Sequence, residues 1–140
     1  MPALASTPSP RVYNWTRLRF LVDARNFPDT LLRPVGERLV QRDPKDYEVK
    51  YRLIDTFNPG ESKAEKKQAL IYAHDLIRLN PKRASGYSAL GGVYYRDWLL
   101  NKNRTDAGNA IAAYQRYLKI APPNEPFRRQ VTLLIALMRK

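Results

Sequence analysis

Along most of the chain, apolar residues return every three or four positions, and an alternation of period two is sustained nowhere. That spacing predicts helices throughout. Tyr87, Leu90, Gly91, Tyr94 and Trp98 share one face, and Ala107, Ala110, Ile111, Tyr114 and Leu118 share another a short polar stretch later. Upstream, Tyr47, Tyr51, Ile54 and Phe57 form a stripe that Asn58-Pro59-Gly60 interrupts, and Ala69, Leu70, Ala73, Leu76 and Ile77 form the next. Proline-bearing stops close three stretches at Pro44, Pro81 and Pro122. A proline cannot continue a helix and pushes its predecessor toward extended geometry.

These stops divide the chain into helix–loop–helix units at about 12–44, 46–81 and 84–122, followed by a terminal helix at 125–139. Ser62, with Glu65 three residues on, reads as a capping box, while Asp29, Asp46 and Thr105 or Asp106 are candidate caps for other helices. Pro34 falls where the second helix of the first unit is expected, which predicts a late start or a kink. Residues 1–10, rich in proline, serine and threonine, are expected to be a flexible tail ahead of a helical domain at 11–140.

The unit at 84–122 carries a more specific pattern. Tyr87-x-x-Leu90-Gly91-x-x-Tyr94, then Ala110-x-x-x-Tyr114 and finally Pro122, resembles the tetratricopeptide repeat signature. The unit is longer than that family's usual repeat, and the extra residues lie between Tyr94 and Ala110, as in a first helix prolonged through Trp98-Leu99-Leu100. Gly91 and Ala110 are small where two antiparallel helices must approach, and the tyrosines fill the space around them. The preceding units match only weakly. One places Lys50 at the aromatic position and Leu53-Ile54 at the Leu-Gly pair; the first offers Trp15, Leu18, Val22, Leu32 and Leu39. The resemblance implies an all-α, right-handed solenoid of about three hairpins and a C-terminal helix, with a concave groove lined by the first helix of each hairpin.

Projected onto that groove, the positions facing a ligand include Tyr13, Phe20, Tyr51, Asp55, Ser88, Gly92, Tyr95, Arg96 and Arg129. The lysine and asparagine pair with which some members of the family grip a C-terminal carboxylate is missing: Tyr51, Asp55 and Gly92 stand there instead. The resemblance therefore implies a scaffold or adaptor that binds a protein or peptide, and argues against a chaperone-tail receptor.

Composition changes this picture in two ways. Lys and Arg number 25 against 13 Asp and Glu, a formal net charge of +12, and eight of the cations against two acids lie in residues 101–140. Such an excess attracts polyanions, so a basic module for nucleic acid or anionic lipid is the alternative reading. No nucleic-acid-reading motif accompanies the charge, however, and an acidic protein partner suits it as well. Cysteine is absent, which excludes disulfides, thiolate metal sites and cysteine nucleophiles while leaving the compartment open. No apolar run reaches membrane-spanning length, so a soluble chain is expected, the cytoplasm preferred over export.

Catalysis is not expected. The one histidine, His74, stands alone, and Gly91-Gly92 lies within a helical pattern with no strand before it, which is not a phosphate loop. No cofactor or metal is expected either. The last helix, by contrast, is apolar nearly all round from Val131 to Met138, so Leu134 and Leu137 are expected to meet a second copy of the chain or a following domain.

Overall fold

The computed structural model describes residues 15–24 and 27–140, and every regular element among them is an α-helix. The all-α expectation is met. The helices are α1 (Trp15–Val22), α2 (Asp29–Arg42), α3 (Tyr47–Ile54), α4 (Lys63–Leu79), α5 (Ala84–Asn101), α6 (Arg104–Ile120) and α7 (Phe127–Arg139). Residues 1–10, expected to form a tail, and Tyr13 lie outside the described residues.

Side-chain caps account for three of the helix starts. Asp46 caps α3 by accepting from the Val49 N–H, and Ser62 caps α4 by accepting from the Glu65 N–H at 3.2 Å. The Glu65 carboxylate turns away from the reciprocal capping-box bond and accepts the Asn58 N–H at 3.0 Å, fastening the preceding turn. For α6 the cap is Asn103, not Thr105 or Asp106: its side-chain oxygen accepts from the N–H groups of both. Helix α2 starts at Asp29 with Pro28 in the capping position, and Pro34 sits inside it. The N–H missing at Pro34 would have met the Thr30 carbonyl, and Thr30 is exposed, so that carbonyl is left on the solvent side of the helix.

The chain divides into two compact units, one ending at Thr56 and the other beginning at Phe57. The division falls within the second of the predicted repeats. In the first unit α2 packs against α1 and α3, burying Leu18, Val22, Leu32, Val35, Leu39, Val49, Leu53 and Ile54. Gly36 is needed here, since a β-carbon would lie 2.7 Å from Leu53 Cδ2. Arg19 ties α1 to the start of α3 through Asp46, at 2.5 and 3.2 Å, and bonds Asp23 at 2.8 Å. Burial penalises its charge, but these carboxylates outweigh the penalty and hold its pKa above the ordinary value. Lys50, at the motif's aromatic position, is buried.

In the second unit α4 packs on α5, α5 on α6 and α6 on α7. The core joins Tyr87 and Trp98 of α5 to Ala107, Ala110, Tyr114 and Tyr117 of α6 and Val131, Ile135 and Met138 of α7. Tyr117 meets Phe127 edge to face at 5.6 Å, which seats α7 on α6. The buried side of α6 includes Ala113 and Tyr117, whereas Ile111 and Leu118 are half-buried, so the stripe is turned slightly from the one read in sequence.

The C-terminal end of α5 has a specific task. Its last two turns hold the segment that leads into α4: Arg96 Nη1 donates to the Phe57 carbonyl at 2.9 Å, and Asn101 Nδ2 donates to the Gly60 carbonyl at 3.0 Å. Leu100 lies over Gly60, where a β-carbon would come within 2.6 Å of it. The connection to α6 then takes two residues, of which Lys102 adopts the left-handed conformation at φ 53°.

Candidate protein-binding surfaces

Helix α5 is covered by α4 on one side and α6 on another, and its third side remains partly open. Ser85, Ser88, Gly92, Tyr95 and Arg96 are half-buried along that side, and Leu99 at its end is exposed. Spacings of three and four residues keep them in one stripe. The two adjacent glycines therefore have different neighbours. A β-carbon on Gly91 would lie 2.6 Å from Tyr114 Cδ1, while one on Gly92 would meet only the Tyr114 hydroxyl, at an ordinary 3.8 Å. Close packing requires Gly91; at Gly92 it leaves a stretch of backbone bare in the open stripe.

The stripe has an aromatic and cationic end. Tyr95 stacks on Trp98 with ring centroids 6.0 Å apart, and the Lys102 ammonium sits 4.1 Å from the Trp98 centroid. Arg96 directs its guanidinium at the Phe57 and Gly92 carbonyls. It thus braces the backbone under the stripe. Below, burial above all pushes the Tyr114 hydroxyl above its ordinary pKa, Tyr95 adding to the shift and Arg96 opposing it, so the phenol stays neutral.

The sequence-predicted residues fall into three places. Ser88, Tyr95 and Arg96 share the α5 stripe. Phe20, Tyr51 and Asp55 belong to the first unit, where all three are exposed, Phe20 by 75%. Arg129, Leu134 and Leu137 belong to α7. There Arg129 and Leu137 are exposed, but Leu134 is half-buried against the core, and the more exposed leucine is Leu133, at 65%.

One charged cluster escaped the sequence reading. Lys66 of α4 reaches Asp97 of α5 at 2.6 Å and Asp106 of α6 at 2.9 Å, and both acids are buried. Burial disfavours the charges of Lys66 and Asp97; for Lys66 the two carboxylates outweigh it and raise the pKa. For Asp97 the hydrogen bonds from Lys66 and Asn101 outweigh burial and hold the carboxyl below its usual range. The signal was present: Asp97 stands between Tyr94 and Trp98 on an otherwise apolar face. A lysine flanked by two acids is a clamp joining three helices. Its carboxylates are engaged, and among the described residues no group of acids, histidines or cysteines could hold a metal.

Several C-terminal cations are engaged as well. Arg128 donates to the Leu118 and Ala121 carbonyls at 2.6 and 2.9 Å, closing the end of α6, and Arg104 donates to the Met138 carbonyl at 3.1 Å, closing α7. Arg116 lies over Tyr87, 5.4 Å from its centroid. Lys119, Arg129, Arg139 and Lys140 are exposed. Among the described residues no helix is long and apolar enough to cross a membrane. Compared with protein-family models and with curated proteins, the chain matches none.

Proposed function

We propose that the chain is a protein-interaction module of tetratricopeptide type, a right-handed solenoid of helical hairpins that holds an extended peptide along the open side of its first helices. The observation that carries this reading is Gly92, a glycine that packing does not require, in the middle of a partly open stripe bordered by Ser88 and Tyr95. Bare backbone beside a half-exposed tyrosine lets a peptide chain approach closely and gives it a large, stiff contact. The hairpin of α5 and α6, with Gly91 against Tyr114, supports the repeat assignment. Phe20, Tyr51 and Asp55 extend the same role to the first unit.

The net charge of +12 favours a second reading, a basic module that associates with nucleic acid or anionic lipid. Peptide-array or phage-display selection on the purified chain, repeated with Gly92→Leu and Tyr95→Ala, tests the first reading. Selected peptides should lose affinity for both variants while the fold is unchanged. Capture from extract with and without nuclease, at about 50 and 200 mM salt, separates the two readings, because binding through phosphates falls steeply with salt. Nuclease-sensitive association indifferent to both variants would favour the second.

A further inference from the structure

Helix α7 presents a second surface, opposite its core-facing side. Val131, Ile135 and Met138 are buried against the core, and the line opposite them runs Arg129, Leu133, Leu137, Lys140, with Ala136 beside it; all five are exposed. The outer line is thus a short apolar strip with a cation at each end. Residues 126–140 contain no acid, and Glu125 precedes the helix. In residues 101–140 the other acid, Asp106, is buried under Lys66, so Glu125 is the exposed carboxylate of that stretch.

We propose that this face docks an acidic amphipathic helix of another protein, its leucine-type residues on Leu133 and Leu137 and its carboxylates at Arg129 and Lys140. The proposal shares with the reading above only the premise of protein binding and concerns a different surface. Charge decides the occupant. A second copy laid across this line, parallel or antiparallel, brings arginine and lysine against arginine and lysine with no acidic side chain on either helix, and like charges in juxtaposition oppose association. A membrane asks for a broad apolar face that sinks into the headgroup boundary, rich in aromatic and leucine side chains. Here the broader face is committed to the core, and Phe127, the aromatic of this helix, packs on Tyr117. An acidic helix satisfies both the strip and its flanking cations.

The probe is a synthetic helical peptide of about eighteen residues, built of leucine and glutamate with leucines at helical spacing. A scrambled peptide of the same composition and a lysine-for-glutamate version serve as controls. Fluorescence anisotropy should show binding of the ordered acidic peptide alone, weakened about tenfold or more by Leu133→Glu or Leu137→Glu. Arg129→Glu should weaken it too, whereas Gly92→Leu, which blocks the α5 stripe, should leave it intact. Unchanged circular dichroism confirms that the variants fold. Equal binding of ordered and scrambled peptides, or indifference to both leucine variants, would overturn the proposal. So would sedimentation showing a dimer abolished by Leu137→Glu, or co-sedimentation with phosphatidylglycerol vesicles abolished by the same change; these assign the face to a second copy or to lipid.

Discussion

The ring of Tyr114 lies where a side chain on residue 91 would have to be, with Cδ1 2.6 Å from the place of the missing β-carbon. The contact joins the two helices of the α5–α6 hairpin. Gly91→Ala therefore sets about 1 kcal/mol of gained helix propensity against about 1–3 kcal/mol of overpacking. A net loss of stability is expected, because Tyr114 is a buried ring in the core of the second unit. Gly91→Val should lose more, and Gly91→Ala with Tyr114→Leu should cost less than the two single changes added. Urea denaturation of the four variants measures this.

Gly108 provides the opposite case on the partner helix. A β-carbon there meets nothing within 4 Å. Gly108→Ala should raise stability by about 0.5–1 kcal/mol, through helix propensity and a less flexible unfolded chain. A loss on thermal denaturation would show that residue 108 does not face open space.

The Lys66 clamp predicts a stability plateau with two edges. Asp97 is held below its unfolded pKa, so its contribution is present above about pH 4 and disappears as pH falls through the lower, folded value. Lys66 is held above its unfolded pKa, so its contribution is complete below about pH 10 and disappears as pH rises through the higher, folded value. Lys66→Met leaves two buried carboxylates without their cation and should cost about 2–3 kcal/mol at neutral pH. That is below the range for a fully buried pair, because Lys66 is a quarter exposed. The difference from the parent chain should narrow in acid, and denaturant titrations across pH report it.

Adjacent arginines in α7 should behave differently. Arg128 closes the C-terminal end of α6 with two carbonyl bonds, so Arg128→Ala should cost about 1–2 kcal/mol. Arg129 is exposed, and Arg129→Ala should stay within about 0.5 kcal/mol of the parent. Two thermal melts decide it.

Periodicity and proline placement revealed the helices because they record local facts: which residues share a face, and where an N–H is missing. Ser62 and Asp46 cap as their sequence positions suggest, but Asn103 takes the place expected of Thr105 or Asp106. A cap depends on the residue at which the chain turns, and α6 begins at Arg104, one residue ahead of the first of those candidates. Among the candidate surface residues, Ser88 and Tyr95 keep half-open positions, since helical spacing from Gly91 fixes their direction. Leu134 and Leu133 exchange roles because α7 is apolar on both sides, and only contact with α6 chooses which side is covered. Lys66, Asp97 and Asp106 stand up to 40 positions apart, and no spacing rule within one helix links them.

The connection between α5 and α6 bears on how the protein is cut. Lys102 and Arg104 are exposed basic residues, attractive to a trypsin-like protease in an unfolded chain. A protease must draw several residues into an extended strand, and loop tips are nicked because they can yield one. Here two residues separate two long helices. The Lys102 N–H is bonded to the Trp98 carbonyl at 2.8 Å, and Asn103 is engaged as a cap. Supplying an extended strand would mean unwinding a turn of each helix, so cleavage at this pair reports opening of the hairpin itself. The rate at which trypsin nicks it should follow the free energy of that opening, making the site a built-in gauge of the stability of the second unit.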